Sequence, residues 1–428
     1  MKFNLAKYIV PSVISMVLIG TYTNIDGFFI GNATGDNGLA AINFAWPIIA
    51  FATSIGTGIG VGGSVTVNTL RGKGLLDDVE KAKRTSLILL LFAGLITTAL
   101  TLVLFSPILK LMGAEGQALE YAENYSLIVS AGAVFQVFGS GLVVLLRNEG
   151  KTFLSMLYTF IGLVAHVLLD MALVNKLALY GVATSTIASQ AVVAVLCLIS
   201  FRIKRQTGRG LTYIGQIAKS SVAPFGLNFV PSVVLLFTNF FAFRAAGAEA
   251  VSAYAVMSYA VYTFDYIYQG VCDGVQPVLS YCQGADDIVQ KQRTVKTAVM
   301  ILCVTSVIFI ALTPALISLL PWLFNVSQQT AEFMRTGLII YAFSYPFKAV
   351  VKYVCAYNYS IGKNIISNVI TYIDPLLFSP LFLAVLPMAF GIDGIWIALP
   401  AAQIATSLAS VILIAMYKRK LWKNCCSD

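Results

Sequence analysis

The chain has 428 residues, 58% hydrophobic and 11% charged; soluble domains carry about a quarter charged residues, so a water-soluble globular fold is excluded and a lipid-embedded one expected. The net charge of +9 is dispersed over the short segments between apolar runs, which excludes a nucleic-acid partner. Seven cysteines, scattered without ligand spacing and mostly inside apolar runs, imply no disulfide framework, metal centre or cofactor.

Apolar runs long enough to cross a bilayer, about 20 residues each, recur twelve times. They cover residues 8–31, 39–70, 85–110, 119–146, 152–174, 181–203, 213–243, 250–282, 295–320, 329–359, 364–388 and 394–417. The expectation is an all-α polytopic protein of the cell's inner (plasma) membrane, surrounded by membrane lipids and working as a monomer. The first run carries Asp26 and no small-residue cleavage site follows it, so it reads as a retained helix. In the second, the glycines of Gly56-Thr57-Gly58-Ile59-Gly60-Val61-Gly62-Gly63 lack the Lys-Ser/Thr of a phosphate loop and suit close helix packing instead. The basic segment from Arg202 to Lys219 separates the sixth and seventh runs. Beyond the twelfth, Cys425 and Cys426 follow a basic tail that would suit lipidation, although an ordinary terminus explains it as well.

An even number of spans puts both termini on one side. With the N-terminus inside, 22 of the 28 Lys and Arg residues fall on inner segments, as cytoplasmic loops require. A shift of 212 residues then superposes the two halves: Gly58 on Gly270, Gly62 on Gly274, Gly72 on Gly284, Thr85 on Thr297, Gly150 on Gly362 and Lys151 on Lys363. The chain therefore reads as a duplication, with a six-helix lobe at 1–203, a cytoplasmic linker at 204–212, a second six-helix lobe at 213–417 and a cytoplasmic tail at 418–428. Six spans per copy give both copies the same orientation, and transporters commonly bind substrate between such repeats.

Ionisable groups deep in a span cost roughly 2.5–3.5 kcal/mol on insertion scales and are functional candidates by default. Asp26 is 19 residues beyond Lys7 and Asp170 is 19 beyond Lys151, which puts both about 28 Å along their helices, in the outer half of the membrane. Tyr22 precedes Asp26 by four residues and His166 precedes Asp170 by four, so each pair shares a helix face. If the faces meet they form one compact site. Two carboxylates in a poorly hydrated pocket cannot easily both stay charged; one of them is expected to hold and exchange a proton, as a proton-coupled antiporter needs. His166, the chain's one histidine, titrates near neutrality in ordinary surroundings and can share that proton or pair with an ionised aspartate. A structural polar cluster is the competing reading.

In the second half, Asp265 lies 16 residues inward from Glu249 and Lys348 lies 16 inward from Glu332, a depth at which they can pair, with Asp374 at a comparable level to complete the cluster. Lys352 is one turn beyond Lys348 on the same face. The shift aligns Lys348 with Gln136, which points both toward a central cleft. These are candidates for substrate binding or gating, against a salt bridge that locks the lobe. Asp273 is close enough to the cytoplasmic end to be hydrated. Of 20 tyrosines, 14 fall in the second half; Tyr259, Tyr262 and Tyr266, at helical spacing, are candidates to line a cavity that takes planar organic cations.

The pattern as a whole resembles the multidrug and toxic compound extrusion family, the MATE transporters. The resemblance is carried by Pro11-Ser12, by Tyr22-Thr23-Asn24-Ile25-Asp26-Gly27-Phe28-Phe29-Ile30-Gly31 with Trp46-Pro47-Ile48, and by Gly270-Val271-Cys272-Asp273-Gly274-Val275-Gln276-Pro277. It is carried also by His166-Val167-Leu168-Leu169-Asp170 ahead of Gly181 and Thr186, where the family usually has Asn-x-x-x-Asp. The resemblance implies two six-helix lobes in a V around a cavity that opens alternately to the two faces. It also implies a cation or proton site at the positions of Tyr22, Asp26, His166, Asp170 and Thr186, with a proton or sodium as the coupling ion; His166 departs from the family's amide there. The expected function is export of small amphipathic organic substrates, cationic in character, by exchange with protons or sodium. A lipid-linked precursor flippase of related fold would need more cleft cations than Lys348 and Lys352. An intramembrane transferase would need more than the one Asp286-Asp287 pair on a mixed-charge loop.

Overall fold

The structure, a computed structural model, describes residues 4–203, 211–324 and 326–425, with the side chains at 23, 24, 31, 32, 35–37, 248 and 418–425 outside the description. Residues 204–210 of the expected linker, Cys426 and the tail's side chains thus lie outside the described residues.

Among the described residues all regular structure is helical: α1 (Ala6–Gly72), α2 (Leu76–Leu111), α3 (Gly116–Ala131), α4 (Ala133–Asn148), α5 (Thr152–Leu177), α6 (Leu179–Ser200), α7 (Ile214–Gly284), α8 (Ile288–Leu323), α9 (Gln328–Ala342), α10 (Tyr345–Ser360), α11 (Asn364–Ile373), α12 (Ser379–Phe390) and α13 (Ile392–Cys425). A π-helical turn, Asp374–Phe378, joins α11 to α12. Helix α1 holds two membrane-length pieces, Ala6–Ile30 and Gly38–Gly72. Helix α7 breaks at Gly247, whose φ of 72° and ψ of −155° belong to a region only glycine enters readily.

Among the described residues nine helices are long and apolar enough to cross a membrane, and the bent pairs α3–α4 (57°) and α9–α10 (52°) raise the number to eleven. The one expected span left over, the eighth at 250–282, is helical but is not among them. It carries Asp265, Gln269, Asp273 and Gln276, whose polarity offsets its apolar residues.

The 212-residue repeat reappears in the helix boundaries. Helix α2 runs 76–111 and α8 runs 288–323; the α3–α4 pair occupies 116–148 and the α9–α10 pair 328–360; α5 starts at Thr152 and α11 at Asn364. On α2, Phe92, Leu95, Ile96 and Val103 are exposed while Gly94, Thr97 and Thr101 are buried. Large apolar groups outside and small or hydroxylated ones inside is the arrangement expected where lipid is the solvent and helices approach through small residues.

The chain forms two compact units. The first comprises Met1–Phe229, Asp273–Thr294 and Ser360–Gly362; the second comprises Val230–Cys272, Val295–Tyr359 and Lys363–Asp428. In the first unit, the C-terminal ends of α1 and α7 cross through reciprocal contacts. A β-carbon on Gly72 would overlap the Tyr281 carbonyl oxygen, and one on Gly284 would overlap the Thr69 carbonyl oxygen. Nearby, Gly62 rests on Ser221 and Gly274 on Ile9. Each contact maps onto its partner under the 212-residue shift. Because the obstructing atoms are backbone, Gly284→Ala is expected to cost about 1–3 kcal/mol by overpacking, read as a melting temperature several degrees lower in detergent; an unchanged value would mean the helices are not packed this tightly.

Three consecutive residues at the end of α4 and just beyond it tie it to three other helices. The Arg147 guanidinium lies 2.9 Å from Asp273 of α7, each side chain only 3% exposed. Asn148 accepts from the Asn68 amide of α1 at 3.2 Å, and Glu149 pairs with Lys83 of α2 at 2.6 Å. Asp273, expected to be hydrated, is therefore buried and ion-paired: its nearness to a helix end along the sequence is overridden by the helices packed around that end.

Candidate functional site

Helix α5 buries a stripe of small and polar residues, Ser155, Thr159, Gly162, His166 and Asp170, at spacings of three and four. Such a stripe has no place against lipid and faces α1 and α6. The notch at Gly162 admits the Tyr22 hydroxyl, which stands 2.6 Å from where a β-carbon would be and donates to the Thr159 carbonyl at 3.4 Å. The Tyr22 ring lies 5.1 Å from the His166 ring, tilted by 44°. One turn on, Asp26 reaches His166.

The faces of α1 and α5 thus meet. His166 Nε2 stands 2.8 Å from Asp26 Oδ1 and 3.2 Å from Asp170 Oδ2, and all three residues are buried. A single ring nitrogen can hydrogen-bond one carboxylate well, and it bonds Asp26. Among the described residues neither Asp170 oxygen nor His166 Nδ1 has a hydrogen-bond partner of good geometry, although Ser185 lies beside both groups. A buried carboxylate left in this state is costly, and a proton or a small cation would satisfy it.

Thr186 on α6 lies beside Asp26, its hydroxyl donated to the Val182 carbonyl at 2.9 Å, so toward Asp26 it offers oxygen lone pairs. Ser185, beside Asp170, likewise donates to the Gly181 carbonyl at 2.9 Å. Tyr125 of α3 adds a fully buried hydroxyl beside Asp26 and Thr186. Neither Tyr125 nor Gly162 is marked by the sequence: both join the site through helix approach, and only the stripe of small residues on α5 hints at Gly162.

One ligand atom from each of Asp26, His166 and Asp170 lies within 4.8 Å of the others. Sodium, a hard cation, prefers an all-oxygen shell; here an imidazole nitrogen sits between the carboxylates, the arrangement of a proton-sharing group. The cluster's charge changes by one with each proton it takes up.

The second unit holds a separate group. Asp265 is clamped by two lysines, Lys348 at 3.2 Å from Oδ1 and Lys352 at 2.6 Å from Oδ2. Asp374 stands apart from this clamp. At the start of the π-helical turn it accepts from the Ser379 hydroxyl at 2.6 Å and the Gln403 amide at 2.7 Å, and it makes no ion pair among the described residues. Equal depth did not imply contact, because depth leaves the direction around the helix open and the π turn at Asp374-Pro375 changes it.

Tyr262 and Tyr266 are half-buried beside Asp265. Tyr259 is exposed and stacks on Phe324, ring centroids 5.3 Å apart. Gln136 is buried in the first unit with neither amide atom hydrogen-bonded.

Known proteins resemble the chain in both sequence and fold. The MatE family profile matches it twice, at residues 11–172 and 225–385. The multidrug export protein MepA of Staphylococcus saprophyticus is 23% identical, over 96% of this chain and 93% of the relative. The protein of the same name in Staphylococcus haemolyticus is 25% identical, over 96% and 92%. Among solved structures, an outward-facing multidrug resistance MATE family transporter of the MOP superfamily superposes with a TM-score of 0.89 at 20% identity, covering 98% of this chain and 96% of that one. A MOP superfamily transporter from Pyrococcus furiosus gives 0.89 at 20% identity, covering 96% and 95%.

Proposed function

Because this chain belongs to the MATE family, whose members are transporters and not enzymes, we propose that it is a secondary active antiporter exporting amphipathic organic compounds, cationic ones foremost, in exchange for protons. It acts by alternating access of two six-helix lobes, 1–203 and 213–417, as a monomer in the cell membrane with both termini cytoplasmic. The names of the MepA relatives support multidrug export as the task. The observation that carries proton coupling is His166 Nε2 held within 3.2 Å of two buried carboxylates. A proton bound there removes buried negative charge, and its loss restores it, so occupancy changes what the first lobe's interior can hold without cost. Sodium on the Asp26 and Asp170 oxygens is the competing coupling ion.

Efflux of a fluorescent organic cation from proteoliposomes separates the two. A pH gradient alone is expected to drive efflux, and a sodium gradient alone is not. Sodium-driven efflux with no response to pH would reassign the ion, and no response to either gradient would overturn cation coupling.

A further inference from the structure

We propose that Lys348, in the second unit, is the receptor for the carboxylate of an aromatic organic compound. The clamp around it holds two ammonium groups and one carboxylate, and Asp374 lies within electrostatic reach of Lys348 without pairing to it. The Lys352 ammonium has partners for its three donors: Asp265 Oδ2 at 2.6 Å, Gln269 Oε1 at 3.2 Å and the Asp265 carbonyl at 3.4 Å. Among the described residues Lys348 has no such set. It lies 3.2 Å from Asp265 Oδ1 in a geometry that leaves that oxygen without a hydrogen bond, and its other contact is the Tyr341 hydroxyl at 3.4 Å. An ammonium carries three donors, so Lys348 keeps donor capacity that its neighbours do not use. It is also the more accessible of the two lysines, 15% exposed against 8%.

Asp374, the next carboxylate, is directed at Ser379 and Gln403 and forms no ion pair with either lysine. Beside the ammonium stands the Tyr341 phenol, with Tyr345 edge-on to it at 5.7 Å, and the half-buried Tyr262 and Tyr266 lie next to its partner Asp265. A ligand carboxylate would use the idle donor capacity of Lys348, and the half-buried rings of Tyr262 and Tyr266 offer faces to the ligand's aromatic part. This adds a ligand class to the proposed transport function and rests on it only for the direction of movement.

The test uses full-length protein in detergent without any ion gradient, so that failure of this site and failure of proton coupling are told apart. Fluorescence polarisation would follow rhodamine B, which carries a free carboxylate, and its methyl ester, which does not. The acid is expected to bind at least about tenfold more tightly, the scale of one charge-assisted hydrogen bond. Lys348→Gln should abolish that preference and Lys348→Arg should keep it. In the wild type, benzoate should displace the acid and benzylamine should not, a result that needs no variant to fold. Equal or tighter binding of the ester, equal loss of both dyes in Lys348→Gln, or failure of benzoate to compete would each overturn the assignment.

Discussion

Proteoliposomes carrying Asp26→Asn or Asp170→Asn will bind the transported cation yet fail to accumulate it against a gradient when a pH difference is imposed. Each proton moved down one pH unit supplies about 1.4 kcal/mol, enough to sustain roughly a tenfold substrate gradient. Both variants should therefore fall from about tenfold accumulation to none. Asparagine has nearly the shape of aspartate, and its carbonyl can still accept from His166 Nε2, so packing against Tyr22 and His166 is kept while the titratable group is lost. Either variant alone should suffice, because the imidazole stands between both carboxylates. Normal pH-driven accumulation in both would make the aspartates structural and return the search for the coupling group to Asp265 and Asp374.

Removing one partner of the Arg147–Asp273 pair will destabilise the protein more than removing both. A buried charge left alone costs about 3–5 kcal/mol, whereas replacing the whole pair by apolar side chains of similar volume is often neutral or stabilising. Arg147→Met and Asp273→Leu are each expected to lower the melting temperature by roughly 10 °C, and the double variant should recover most of the loss. Both side chains are 3% exposed, so water cannot substitute for the missing partner. Single and double variants with equally small effects would mean that the pair is solvated, and equally large ones that its loss is not one of charge.

The sequence carried the fold through quantities that survive folding unchanged: the lengths of the apolar runs, the placement of Lys and Arg, and the 212-residue shift, which returns as matching helix boundaries. It carried the core of the site for a related reason. Tyr22–Asp26 and His166–Asp170 are local pairs four residues apart, and their depth follows from counting along a helix. What it could not carry was direction across the bundle. Tyr125 reaches Asp26 from α3, Asp374 turns to Ser379 and Gln403 at a π-helical turn, and Asp273 is sealed by Arg147. Each depends on which helices pack side by side, and no spacing within a single helix encodes that. The polar run at 250–282 shows the same limit from the other side: a helix rich in aspartate and glutamine weakens the hydropathy signal where side chains are needed for chemistry.

The crossing of α1 and α7 is isologous in the sense used for homodimers. Residue 69 of one copy meets position 72 of the other, and each element both gives and receives the same contact, as two identical chains do about a dyad. Nothing in that contact requires the halves to be one polypeptide. The peptide link between them fixes stoichiometry and pairing, and the tandem chain can be regarded as a dimer whose subunits were joined and then released from the obligation to stay alike. The copies have not stayed alike: Asp26, His166 and Asp170 lie in one and Asp265, Lys348 and Lys352 in the other, a division that a symmetric dimer cannot make.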